Sequence, residues 1–250
     1  DQGEHTLTTR LLVVADGMRS TTREALGIDT RERDYGQSAI IANVRAERAH
    51  NGMAYERFTP EGPLAVLPAA DGAVSVVWPL PTETAEWMAF DTSDATFLAR
   101  LQSTFGWRLG RLEAVGSRAL YPLTAVTATD FAADRAVVLG NAAHALHPVG
   151  GQGLNLALRD VAALVEALRE APDPGDADVL SAYARSREGD YRRTYAFTDG
   201  LVRLFTNDWP PLAAIRNIGL TALDLFPPAR RLLLKQGTGA AGDVPPLCQD

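Results

Sequence analysis

The sequence predicts a mixed α/β (or α+β) fold in which a β-rich insertion splits the first domain, and three observations carry this. Two apolar runs, LLVVA at 11–15 and AVVLG at 136–140, read as buried strands of one layer. The stretch between them is dominated by alternating β-type segments, and the chain beyond Leu154 is dominated by helical periodicity.

In order, HTLTT reads as a short strand running into RLLVVADG, whose apolar, β-branched run ends at Asp16-Gly17 as a strand facing a ligand loop would. After Arg23 a short helical turn, REALGI, leads into strands at YGQSAIIANVRAE, GMAYERFT, PLAVLPA and AVSVVWPL. Asn51-Gly52, Glu61-Gly62 and Asp71-Gly72 punctuate them, so an antiparallel meander follows, with Tyr55, Phe58 and Trp78 in its strands. SDATFLARLQSTF is a helix with Ser93 at its N-cap. SRALYPL and AVVLG are strands, and helices follow at LNLALRDVAALVEALRE and VLSAYARSREGDYRRTYAFTDGLVRLF. A Pro-broken pair then ends near Lys235. The expected division is 1–33 with 120–175 as one split domain, 34–119 as a β-sheet domain, 176–236 as C-terminal helices and 237–250 as a flexible tail.

Composition narrows the function. A net charge of -7 leaves no basic surface to recruit phosphates, which excludes a nucleic-acid binder. The single cysteine, Cys248, allows neither a disulfide framework nor a thiolate cluster, and a reducing compartment fits. No apolar run is long enough to span a bilayer, and DQGEHTLTTR lacks the pattern of a signal peptide. With no initiator methionine and a strand at once, the chain reads as the interior of a longer one, cut or processed.

The chemistry concentrates in GNAAHALHPVGGQGLNLALRD, residues 140–160. A strand entering a helix through a glycine-rich turn leaves free backbone N–H groups at the helix N-terminus, where the helix dipole favours negative charge. Gly150, Gly151 and Gly153 strip side chains from that approach, and Pro148 fixes the chain ahead of it, so a phosphate or a ring carrying negative charge fits. A tight strand-to-helix connection would use the same glycines. His144 and His147 have no cysteine or carboxylate beside them in the sequence, so they read as capping or packing histidines rather than metal ligands, and no metal is expected.

HPVGGQGLNLALRD, taken with LLVVADGMRSTTR, resembles two motifs of the FAD-dependent aromatic hydroxylases of the p-hydroxybenzoate hydroxylase type: a strand ending in Asp-Gly, then a Gly-Asp strand end followed by His-Pro, Gly-Gln-Gly and Asn. The spacing is similar to the ubiquinone-biosynthesis branch, the 2-polyprenyl-6-methoxyphenol hydroxylases, apart from Ala157 where glycine is usual. Asn141 replaces the family's aspartate, and an amide accepts the same hydroxyl bond without the charge, a habit of that branch. The likeness extends to GPLAVLPAADGAVSVVW and LVRLFTNDWPPLAAIRNIGLTALDLFPPAR.

The resemblance implies a partial FAD-binding fold over 1–33 and 120–175, with 34–119 as the substrate sheet. Asp16 and Gly17 would belong to the motif near the pyrophosphate, linked to the nicotinamide cofactor. Arg19 and Arg23 would either add positive charge there or be surface arginines. Asn141 would hold the ribityl chain, Pro148 would sit close to the flavin ring, and Gly150, Gly151, Gln152, Gly153, Leu154 and Asn155 would wrap its edge. The implied activity is that of a monooxygenase: NAD(P)H reduces FAD, and dioxygen supplies one oxygen to a prenylated methoxyphenol, para to its hydroxyl. That position is activated by the substrate itself, so no catalytic acid or base is named, and His144 and His147 stand only as candidates.

The family's first motif, Gly-x-Gly-x-x-Gly, is absent from these residues, so tight FAD binding by this chain alone is not expected. A hydroxylase of another aromatic metabolite, or a non-catalytic module binding prenylated phenols or scaffolding a biosynthetic complex, are the competing readings. A prenyl tail would need an apolar groove or a membrane, which 201–234 could touch, although apolar helical stripes also pack on their own domain. The expected location is the cytoplasm, peripheral at the inner membrane.

Overall fold

The computed structural model describes residues 5–205, 226–237 and 245. The elements are β1 (Leu12–Val14), α1 (Thr21–Ala25), β2 (Thr30–Ala46), β3 (Tyr55–Thr59), β4 (Gly62–Pro68), β5 (Val74–Pro81), α2 (Thr82–Glu86), α3 (Asp94–Phe105) and β6 (Leu112–Ala128). They continue with β7 (Ala132–Ala133), β8 (Ala136–Val138), β9 (His144–Ala145), α4 (Gln152–Leu168), α5 (Ala177–Phe205) and α6 (Pro227–Gly237). Two compact units emerge: Asp1–Arg33 with Thr124–Asp199 and Leu223–Asp250, and Asp34–Leu123 with Gly200–Ala222.

The second unit is a curled sheet backed by a helix. Its strands run β3-β4-β5-β2-β6, and every pair along β3 to β2 is antiparallel. Ile40, Ala42 and Val44 of β2 lie opposite Trp78, Val76 and Val74 of β5, so the alternation seen in the sequence becomes one buried face. α3 covers that face with Phe97, Leu101 and Phe105, spaced four apart, and the Trp78 and Phe97 rings meet edge-on at 5.9 Å. Ser93 Oγ accepts the Thr96 N–H and starts the helix as expected. Asn51-Gly52 and Asp71-Gly72 turn with both residues at positive φ. One element went unread: PTETAEWMAFD forms α2 and a following π-turn over Trp87–Asp91.

The first unit is built on a small sheet ordered β1-β8-β7, with β1 parallel to β8. α4 and α5 cover one face through Leu164, Leu180 and Tyr183, packed with Val137 and Leu139. Val14, Ile28, Phe131 and Val138 fill the other face. β8 is fully buried. Two elements differ from what the sequence predicts. HTLTT is not a strand, and β1 is not a buried run: among the described residues it pairs with β8 alone, and Leu12 and Val13 are exposed. Most of the Pro-broken helical pair and of the C-terminal tail lies outside the described residues, as does most of the apolar stretch 201–234. Among the described residues no helix is long and apolar enough to cross a membrane.

Candidate functional site: a glycine-bare turn and helix N-terminus

β8 does not turn simply into α4. The chain makes an excursion over 139–151: a 3-10 turn at Gly140–Ala142, the short β9, and a second 3-10 turn at Val149–Gly151. Gly140 takes φ 58°, and Gly150 and Gly151 follow one another at φ 70° and 60°, a left-handed pair that favours glycine. α4 starts at Gln152, earlier than Leu154, on Gly151 as N-cap, with no side-chain cap and no acidic residue in its first turn. A Cβ on Gly151 or Gly153 would meet nothing within 4 Å. This is a bare, positively polarised helix N-terminus with open space at Gly151 and Gly153, a setting that favours negative charge against the main chain.

Around it, Asn141, Pro148 and Leu154 are exposed, and Asn155 is half-buried. Gln152 differs: its buried amide donates to the Gly150 and Gly237 carbonyls at 2.7 and 2.8 Å, so its side chain braces the turn. His147 Nδ1 accepts the Val149 N–H at 3.2 Å just after Pro148. Burial pushes the His147 imidazole down to about 4, although the Asp199 charge opposes this.

The two motifs are tied together by Arg23. It is buried, and Nη1 donates to the Met18 carbonyl at 3.2 Å and the Ala142 carbonyl at 2.9 Å, linking the Asp16-Gly17 loop to the Gly140 turn. Arg23 is therefore no surface arginine, whereas Arg19 is exposed. Asp16 is exposed and serves α1: Ser20 and Thr22 bond its carboxylate and hold it below the usual carboxylate range. Gly17 sits at φ 96° with open space where a Cβ would stand.

The sequence showed no carboxylate beside the histidines, and the fold supplies one. Asp160, on α4, accepts from His144 Nε2 at 2.6 Å and from the Gly140 N–H at 3.1 Å through the same oxygen. Its other oxygen takes Arg187 Nε at 2.8 Å. Arg187 reaches Asp190 at 2.5 Å, and Arg159 bonds Asp190 at 2.7 Å and Thr194 at 3.3 Å. All these side chains are buried. Burial alone would raise the Asp160 carboxyl, but the His144 hydrogen bond and the Arg187 charge outweigh it and hold it low. His144 also stacks on Tyr191, and among the described residues its Nδ1 has no hydrogen-bond partner. Among the described residues no cluster of His, Cys, Asp or Glu could hold a metal.

The signal for this network was present in the sequence. Tyr183, Arg187, Asp190, Thr194 and Thr198 recur at helical spacing on one face of α5 that continues from Leu180. Charged residues on the face that carries Leu180 and Tyr183 into the core must be paired.

Comparison with known proteins gives this geometry its context. The FAD binding domain family matches residues 1–198. Ubiquinone hydroxylase UbiL of Rhodospirillum rubrum is 41% identical over 247 residues, covering 96% of this chain and 57% of the relative. The 3-demethoxyubiquinol 3-hydroxylase of Escherichia coli is 32% identical over 243 residues, covering 95% of this chain and 61% of the relative. The chain thus spans about three fifths of the length of these relatives. In fold, the crystal structure of p-nitrophenol 4-monooxygenase PnpA from Pseudomonas putida superposes with a TM-score of 0.73 at 21% identity, over 93% of this chain and 60% of that one. The mixed α/β architecture with its antiparallel sheet is thus one found among such monooxygenases. On the match over 1–198, the chain belongs to the FAD binding domain family.

Proposed function

We propose that this chain carries the flavin-ring side of an FAD-dependent aromatic monooxygenase that hydroxylates a prenylated methoxyphenol, para to its hydroxyl, in ubiquinone biosynthesis. The observation that carries the reading is the uncapped N-terminus of α4, bared by Gly151 and Gly153. Ubiquinone-pathway names among the relatives supply the substrate class. Bound FAD, reduced by NAD(P)H, would supply the chemistry that activates dioxygen.

The residues have separate tasks. Asn141 offers an exposed amide to a ribityl hydroxyl. Pro148, Gly150, Gly151 and Gly153 let a ring approach the main chain, with Leu154 and Asn155 at its edge. The α4 dipole favours negative charge on that ring, in a site that needs no metal. Asp16 and Gly17 belong to the pyrophosphate side. A prenylated substrate further implies a cytoplasmic protein in peripheral contact with the inner membrane, working beside other enzymes of the pathway.

Two measurements on the full-length protein test this. Purified protein shows a bound-flavin visible spectrum, and it consumes NAD(P)H and dioxygen with a prenylated methoxyphenol to give a product with one added hydroxyl. Gly153→Leu separates site from fold: nothing crowds its Cβ and leucine is the better helix former, so stability holds while FAD affinity falls. A colourless protein, or a Gly153→Leu variant binding FAD as wild type does, overturns the reading.

A further inference from the structure

Asn141 sits exposed between two neighbours whose main chains are held from inside the protein. On one side the Gly140 N–H donates to Asp160 Oδ2 at 3.1 Å, from twenty residues along the chain. On the other, the Ala142 carbonyl accepts from Arg23 Nη1 at 2.9 Å, from 119 residues away. Both side chains are buried, Asp160 at 2% and Arg23 at 3% exposure. Neither is spent on the ring face.

We infer that Asp160 and Arg23 are positioning residues that clamp the Gly140–Ala142 turn from both ends and so aim Asn141 at its ligand. Ala142 anchors the inner end of the turn in the core, but Gly140, at positive φ, has no side chain to pack and Asn141 points to solvent, so the direction of the turn at Asn141 depends on the bonds to its backbone on either side. Asp160 is suited to this because it stands on α4. One carboxylate then sets the distance between the turn bearing Asn141 and the helix whose N-terminus faces the ring. Its second oxygen is held by Arg187, and His144 shares the first, so the carboxylate itself has no freedom to turn. Arg23 extends the clamp to the Asp16-Gly17 loop through the Met18 carbonyl, so that both motifs move as one piece.

This inference rests on the flavin reading and is tested in the full-length holoprotein by FAD affinity and by the absorption maxima of the bound flavin. Asp160→Asn and Asn141→Ala each weaken FAD binding about tenfold and shift the flavin spectrum alike. The double variant is no weaker than Asp160→Asn alone, because Asp160 acts through Asn141. Asp190→Asn breaks the same ionic network without touching the turn, lowers stability, and leaves FAD affinity within threefold of wild type. Arg23→Gln gives a second, independent perturbation and repeats the non-additivity with Asn141→Ala, which keeps the test decisive if Asp160→Asn does not fold. Additive effects, or an Asp190→Asn variant that loses affinity as Asp160→Asn does, overturn the clamp. Wild-type protein that binds no flavin overturns the functional reading itself.

Discussion

His147 gives acid sensitivity to the loop that carries Pro148. Its ring is 2% exposed, and burial lowers its pKa from 6.5 to about 4. In the unfolded chain the imidazole takes up a proton as pH falls through 6.5, whereas in the folded protein it stays neutral until about 4. The unfolded state therefore binds more protons across that window, and stability is lost as pH falls from about 6.5 to about 4. Above 6.5 both states are neutral and the group contributes no slope. The full difference is on the order of 3 kcal/mol, of which about 2 kcal/mol is lost by pH 5. His147→Gln removes the titration and retains an acceptor for the Val149 N–H. Urea unfolding of both proteins at pH 7, 6 and 5 reads the effect as a difference of differences, in which the carboxylates common to both cancel. Parallel stability curves for wild type and His147→Gln between pH 7 and 5 would refute the assignment.

Arg159→Met strips Asp190 of its Nε and Nη2 bonds inside the core and should cost about 3–5 kcal/mol in urea unfolding, whereas Arg192→Ala, against the exposed Glu188, should stay within about 0.5 kcal/mol. Gly175→Ala places a methyl on the Arg10 carbonyl oxygen and 2.5 Å from Arg135 Cζ, so thermal unfolding should show a loss of about 2 kcal/mol or more. Ser93→Ala removes the α3 cap and should lower stability by about 1 kcal/mol, read from the urea midpoint.

Local rules made the β-sheet unit legible. The alternation through Ile40, Ala42 and Val44, the Asn51-Gly52 turn and the Ser93 cap each act within a few residues, so sequence and structure agree there. Where partners are distant, the reading failed. β1 looked like a buried strand because its composition is apolar, but burial depends on what lies beside a strand, and among the described residues β1 has β8 alone beside it. His144 looked isolated because its carboxylate lies sixteen residues on, across a turn and two turns of helix. The glycine-rich stretch was legible as a bare turn ahead of a helix, but not the means by which it is held.

That means has a common form. On the proposed function, a surface kept bare for a ring cannot be fixed by packing on its outer side, since any side chain there would occupy the ligand's place. The turns are instead bonded from within, main chain to buried side chain. Asp160 takes the Gly140 N–H, Arg23 the Ala142 carbonyl, His147 the Val149 N–H and Gln152 the Gly150 carbonyl. All four side chains are at most 3% exposed. Buried ionic and polar groups of this kind contribute little net stability, because their desolvation offsets most of the attraction gained. Apolar residues of the same size would hold the core together as well, but they offer no bond to an N–H or a carbonyl. If the backbone itself is the binding surface, as proposed, buried Ala142 and Val149 can anchor these turns but cannot bond their N–H and carbonyl groups, and that gives charge and histidine a task in a core that hydrophobic packing could have filled.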